Sequence, residues 1–82
     1  ILNMEELALM LIEFLKDRYP GLLEDRYGIT PESTSVENLG EIARARGCLK
    51  KGDELDYTKA SGILFDDFRS GKIGRVTLEW AE

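Results

Sequence analysis

The 82-residue sequence contains no histidine. That removes the commonest imidazole metal ligand and the side chain best suited to general base work near neutral pH. It contains one cysteine, Cys48, so neither an internal disulfide nor a cysteine zinc cluster can form, and a lone thiol fits a reducing compartment. It has no long hydrophobic run. The apolar stretch from Leu7 to Leu15 is interrupted by Glu13 and follows Glu5 and Glu6, too short to span a bilayer and without the basic start of a signal peptide. No membrane role and a cytoplasmic setting are therefore expected. No glycine pattern matches a phosphate-binding loop. Ser33, Thr34 and Ser35 have no imidazole to activate them. Adjacent acids such as Glu5-Glu6 and Asp66-Asp67 point to different sides of a helix and cannot share one proton. Asp53, Glu54 and Asp56 lack the spacing of a calcium loop and read as a solvated turn with a helix cap. Nothing in the chain looks like an enzyme site. The first residue is Ile1 rather than methionine, as expected of a processed chain or a piece of a longer one.

What is present is one domain's worth of helix-forming sequence. Apolar residues make up 43% and charged residues 33%, a globular balance. Tyr57, Ala60, Ser61, Leu64 and Phe68 recur at three- and four-residue steps and share a helix face. Asp56 suits the N-cap of that helix and Gly71 the position just past its end. Upstream, Asn3 with Glu6 has the spacing of a capping box. It opens a first helix expected to bury Leu7, Met10, Leu11, Phe14 and Leu15, ending at Tyr19-Pro20. Pro20 suits the first turn of a short second helix burying Leu22, Leu23 and Tyr27 and capped by Gly28, with Ile29 packing after it. Ser35 is the expected N-cap of a third helix over 36–46 that buries Val36, Leu39, Ile42 and Ala43 and stops at Gly47. Cys48 and Leu49 are expected to tuck inward, and Lys50-Lys51-Gly52-Asp53 reads as a turn. After Gly74, Val76, Leu78 and Trp80 alternate with Arg75, Thr77 and Glu79, a short extended segment. The fold expected is all-α: a small bundle of four to five helices with a short extended C-terminal tail. Its core should include Leu7, Leu11, Phe14, Leu15, Leu39, Ile42, Tyr57, Leu64 and Phe68.

Charge is unevenly distributed. The net charge is −5, but residues 1–41 hold nine acidic and three basic side chains, whereas residues 42–75 hold five acidic and eight basic. An overall negative charge disfavours nucleic acid; a local basic surface does not. The basic set is Arg44, Arg46, Lys50, Lys51, Arg69, Lys72 and Arg75. On one reading these cations complement the negative ends of two helices and pair with nearby acids. On the other they contact phosphates, with Gly47, Gly52, Gly71 and Gly74 letting backbone approach a polyanion. Spacing alone leaves both open. Cys48, near Arg44, Arg46, Lys50 and Lys51, reads as a reactive thiol or, more simply, as a small buried hydrophobe.

A resemblance narrows the choice. Arg46-Gly47-Cys48-Leu49, Gly52, Asp56-Tyr57-Thr58-Lys59-Ala60 and the run from Asp67 to Glu79, Asp-Phe-Arg-Ser-Gly-Lys-Ile-Gly-Arg-Val-Thr-Leu-Glu, resemble the C-terminal domain of the YlqF/RbgA family of circularly permuted ribosome biogenesis GTPases. Tyr19-Pro20, Leu22-Leu23 and Arg26-Tyr27-Gly28-Ile29 resemble the same family, so the likeness covers nearly the whole chain. It implies that residues 1–82 are a single helical C-terminal domain following a GTPase domain. Such a domain resembles an ANTAR-type RNA-binding domain and docks onto the precursor of the large ribosomal subunit through ribosomal RNA, late in its assembly. The resemblance implies that GTP and magnesium belong to the upstream domain, so that this fragment is not itself an enzyme and carries no cofactor. An alternative role is a protein-interaction module touching its own GTPase domain or a ribosomal protein.

Overall fold

A computed structural model describes residues 3–74. Four helices follow in order: α1 Met4–Arg18, α2 Leu22–Tyr27, α3 Ser35–Ala45 and α4 Tyr57–Arg69. Among the described residues the architecture is all-helical, as the sequence led one to expect, without strands. Helices α1, α3 and α4 pack against one another, and short α2 lies against α1 and α3. The expected extended tail, including Arg75, lies outside the described residues.

Local chemistry sets most boundaries. Asn3 and Glu6 form the expected capping box on α1, each side chain accepting from the other's backbone N–H. Asp56 caps α4 by accepting from the Lys59 N–H at 3.0 Å. Two starts differ from expectation. Helix α3 is capped by Thr34, which forms a capping box with Glu37; Ser35 is instead helical and donates to Glu13 of α1 at 3.1 Å. The box wins because it satisfies two free donors where a lone serine satisfies one. Helix α2 begins at Leu22 rather than Pro20, since Gly21 adopts a left-handed conformation between the proline and the helix.

The core is built from Ala8, Ile12 and Leu15 of α1, Leu23 and Tyr27 of α2, Leu39, Ile42 and Ala43 of α3, and Ala60 and Leu64 of α4, with Ile29, Cys48 and Ile73 closing its ends. The expected burial of Leu15, Leu39, Ile42 and Leu64 matches. The expected face of α1 does not: Leu7 is 42% and Met10 59% exposed, and Leu11 and Phe14 are half-buried. Helix α1 is apolar on most sides, so periodicity alone cannot choose its inner face. The small Ala8 admits close packing on that face, which is the one turned to the core. Tyr57 and Phe68 are half-buried rather than fully so. Val36 is 52% exposed, lying in the first turn of α3. Leu49 is 49% exposed while Cys48 is fully buried. The two alternate because the chain is extended there, with Leu49 bridging Leu55.

The α3–α4 connection is tight. Lys50 N–H donates to Glu54 O at 2.6 Å, Asp53 N–H to Lys50 O at 3.1 Å and Asp56 N–H to Cys48 O at 2.8 Å. Gly40 in mid-α3 makes room for it: a Cβ there would sit 3.3 Å from Leu55 and 3.4 Å from the Tyr57 hydroxyl. A second pin holds the α2–α3 connection. Fully buried Asn38 donates to Thr30 O at 2.8 Å and to Glu41 at 3.0 Å. It also accepts from Lys16 Nζ at 2.7 Å, and the same ammonium donates to Ser33 O at 2.8 Å.

Candidate functional site: cations at the helix C-termini

The six described residues of the predicted basic set lie in different local surroundings. Arg44, in the last turn of α3, lines a depression of about 350 Å³ together with Glu37, Glu41 and Tyr57. Burial pushes the Glu41 carboxyl up, but bonds from Thr30 and Asn38 and the charge of Arg44 together hold it below the ordinary glutamate value. Arg44 therefore sits among acids. Lys50 and Lys51 are exposed in the α3–α4 turn. Arg69 pairs with Asp66 at 2.6 Å, one turn back on α4, with both side chains about 70% exposed (73% and 70%). Lys72 shares a shallow depression with Asp66, Arg69 and Ser70. Arg75 lies outside the described residues.

Arg46 stands apart. It is the C-cap of α3, and its guanidinium lies over the Tyr27 ring, 4.8 Å from the centroid, while one Nη2–H donates to the Arg26 carbonyl at 3.3 Å. Beneath it is a cluster absent from the expected site. Tyr27, 7% exposed, donates its hydroxyl to Asp67 of α4 at 2.7 Å. Arg26 Nε donates to the same oxygen at 3.2 Å, and its guanidinium lies 6.0 Å from the Tyr27 centroid. Burial pushes the Asp67 carboxyl up; the Tyr27 hydroxyl, Arg26 and the charge of Lys72 outweigh it and hold the carboxyl below 3.8, its ordinary value. Burial, then the bond to Asp67, push the Tyr27 hydroxyl well above its ordinary value. The bond to Asp67 raises the Arg26 guanidinium further.

One signal in the sequence pointed to this cluster. Asp67 falls at the same spacing as Ala60 and Leu64, on the apolar face of α4. A carboxylate on a buried face demands a partner, because an unpaired buried charge is costly. The partner's identity was not readable, since Arg26 lies 41 residues away in sequence.

Among the described residues no group of three histidine, cysteine, aspartate or glutamate side chains is placed to hold a metal ion. No described helix is long and apolar enough to cross a membrane. Cys48 is buried, as its bland reading supposed.

The chain thus defines a small all-helical domain with an exposed set of cations at helix C-termini. No protein-family model matches it, but curated proteins do. Ribosome biogenesis GTPase A of Bacillus cereus is 37% identical over 84 residues, a match covering all of this chain and 28% of that protein. The Bacillus pumilus protein of the same name is 37% identical over 84 residues, again across the whole chain and 29% of that protein. A probable ribosome biogenesis GTPase A of Mycoplasma genitalium is 31% identical over 80 residues, covering 96% of this chain. The chain spans less than a third of the length of these curated relatives. By sequence it is homologous to the C-terminal part of the RbgA/YlqF ribosome biogenesis GTPases, and the resemblance drawn from its motifs stands.

Proposed function

We propose that this chain is the C-terminal ribosome-docking domain of a ribosome biogenesis GTPase, working in the cytoplasm on a late precursor of the large ribosomal subunit. It contacts ribosomal RNA through a local basic surface drawn from Arg44, Arg46, Lys50, Lys51, Arg69, Lys72 and Arg75. The end-to-end similarity to Ribosome biogenesis GTPase A carries the reading. The exposure of Arg44, Arg46, Lys50, Lys51, Arg69 and Lys72 on a chain of net negative charge supports it. Guanine nucleotide and magnesium belong to the upstream part of the parent protein, and this domain positions the particle rather than performing hydrolysis. The test is binding of the 82-residue chain to large-subunit ribosomal RNA fragments. Changing Arg69, Lys72 and Arg75 together to Ala is expected to weaken binding and to flatten its salt dependence by about 0.7–0.9 log units of slope per lost contact. Unchanged affinity in that triple variant would remove these residues from the surface.

One observation favours a second, compatible role in protein contact. Met4, Leu7 and Met10 are exposed on α1, and Met4 and Leu7 line an apolar depression of about 550 Å³ with Gly62 and Phe65 of α4. Exposed apolar patches of this kind mark contact surfaces. The upstream GTPase domain or a ribosomal protein are the partners to try.

A further inference from the structure

The cations of this chain differ in what already neutralises them. Arg44 lies beside Glu37 and Glu41. Arg69 is matched one to one by Asp66. Around Tyr27 the balance is different: Arg26, Arg46 and Lys72 gather there, and among the described residues Asp67 is the carboxylate that makes an ion pair, with Arg26. Glu24 and Asp25 precede Arg26 on α2, yet neither makes an ion pair with the cluster among the described residues. Among the described residues, the cations gathered here thus outnumber the carboxylates paired with them.

The surplus is also held in place. A guanidinium carries five N–H donors in a rigid fork. Arg26 commits its Nε–H to Asp67, and Arg46 commits one Nη2–H to the Arg26 carbonyl. Arg26 also interacts with the Tyr27 hydroxyl; Arg46 is exposed and the Arg26 side chain is 32% exposed, which leaves further donors of both forks open to an external acceptor. Both guanidinium groups lie close to the Tyr27 ring, 6.0 Å and 4.8 Å from its centroid, and the ring is itself held by its bond to Asp67. Restraint of this kind lowers the ordering cost that a long side chain meets when it binds.

We infer that Arg26 and Arg46, both beside the Tyr27 ring and linked by the Arg46 bond to the Arg26 carbonyl, form a two-guanidinium clip for an RNA phosphodiester, with Lys72 at its margin. The clip rests on the RNA-docking reading and gives it a centre. Arg26 joins the contact residues, and Tyr27 and Asp67 are positioning residues that need not touch RNA.

The test follows the arginine Nε–H signals of the 82-residue chain by NMR during titration with a large-subunit ribosomal RNA fragment, and separately with tripolyphosphate. The Arg26 and Arg46 signals are expected to shift with both probes, and those of Arg44 and Arg69 to shift less. In parallel, Arg46→Lys keeps the charge but loses the fork, so RNA affinity should fall about tenfold while the salt slope and the unfolding midpoint stay as in the parent chain. Arg18→Lys, at an exposed arginine paired with Asp17 and outside the proposed surface, should stay within about twofold of the parent chain. Arg46→Lys is the decisive variant because its side chain is exposed; Arg26→Lys also disturbs buried Asp67. RNA binding with unmoved Arg26 and Arg46 signals and an unaffected Arg46→Lys protein overturns the clip and leaves RNA docking intact. Shifts with tripolyphosphate but none with RNA overturn the RNA assignment of both. No response to either probe overturns the clip and the docking reading together.

Discussion

The two polar clusters of this small domain are built from similar parts and close differently. At the α2–α3 connection, Lys16, Asn38, Glu41, Thr30 and Ser33 bond to one another. Lys16 Nζ has two acceptors, and every polar atom of Asn38 has a partner. At the C-terminal ends of α2, α3 and α4, one buried carboxylate serves a tyrosine and an arginine, while a second arginine and a lysine lie nearby and form no ion pair among the described residues. The first cluster is complete within the fold. The second holds more cation than the fold requires. Self-satisfied polar groups specify structure, whereas a fixed charge surplus at the surface attracts an external anion.

Substitutions can break that contrast at either end. The largest effect is expected at Asn38. Replacing it by Leu takes one of the two acceptors from the Lys16 ammonium and the side-chain donor from the Thr30 carbonyl, and should cost about 3 kcal/mol in denaturant unfolding while leaving RNA affinity of the folded protein unchanged. A marked loss of affinity at preserved stability would blur the two clusters into one. Tyr27→Phe keeps the ring but withdraws a donor from buried Asp67, so about 1–2 kcal/mol should be lost. Asp67→Asn adds a pH signature. The folded carboxyl is held below its ordinary value of 3.8, so its stabilisation is full above that value and disappears as pH falls through the lower folded value. The gap in stability between the native chain and Asp67→Asn should therefore be constant near neutral pH and shrink below about pH 4. A gap that widens in acid would mean that the carboxylate is not the form the cluster favours. The smallest effect is expected at Arg69→Ala. Its pair with Asp66 is exposed, and stability should change by at most about 0.5 kcal/mol.

The parts of this structure legible in the sequence are those decided locally. The Asn3–Glu6 capping box, the Asp56 cap and the left-handed Gly28 after α2 needed only neighbours. Burial on α3 and α4 was largely readable, because their polar faces are clean. On α1 it was not. With apolar residues on nearly every side, the choice of Ala8 and Ile12 over Leu7 and Met10 is made by the helices packed against it. The site divides in the same way. Arg46 could be named from its place at a helix end and its match to a family motif. Its seating on Tyr27, and the link from Arg26 to Asp67, depend on segments brought together only by folding. The basic residues look like one group in sequence because they are close in number. In space Arg44 belongs with acids and Arg46 with a surplus of cations.

The most direct measurement is the dependence of ribosomal RNA affinity on salt for the unmodified chain. If docking runs through a fixed group of guanidinium and ammonium groups contacting phosphates, the logarithm of the binding constant should fall linearly with the logarithm of salt concentration, with a slope of about −2 or steeper for three or more contacts. Saturable binding with a slope near zero, or no binding at low salt, would contradict a phosphate-contacting surface on this domain.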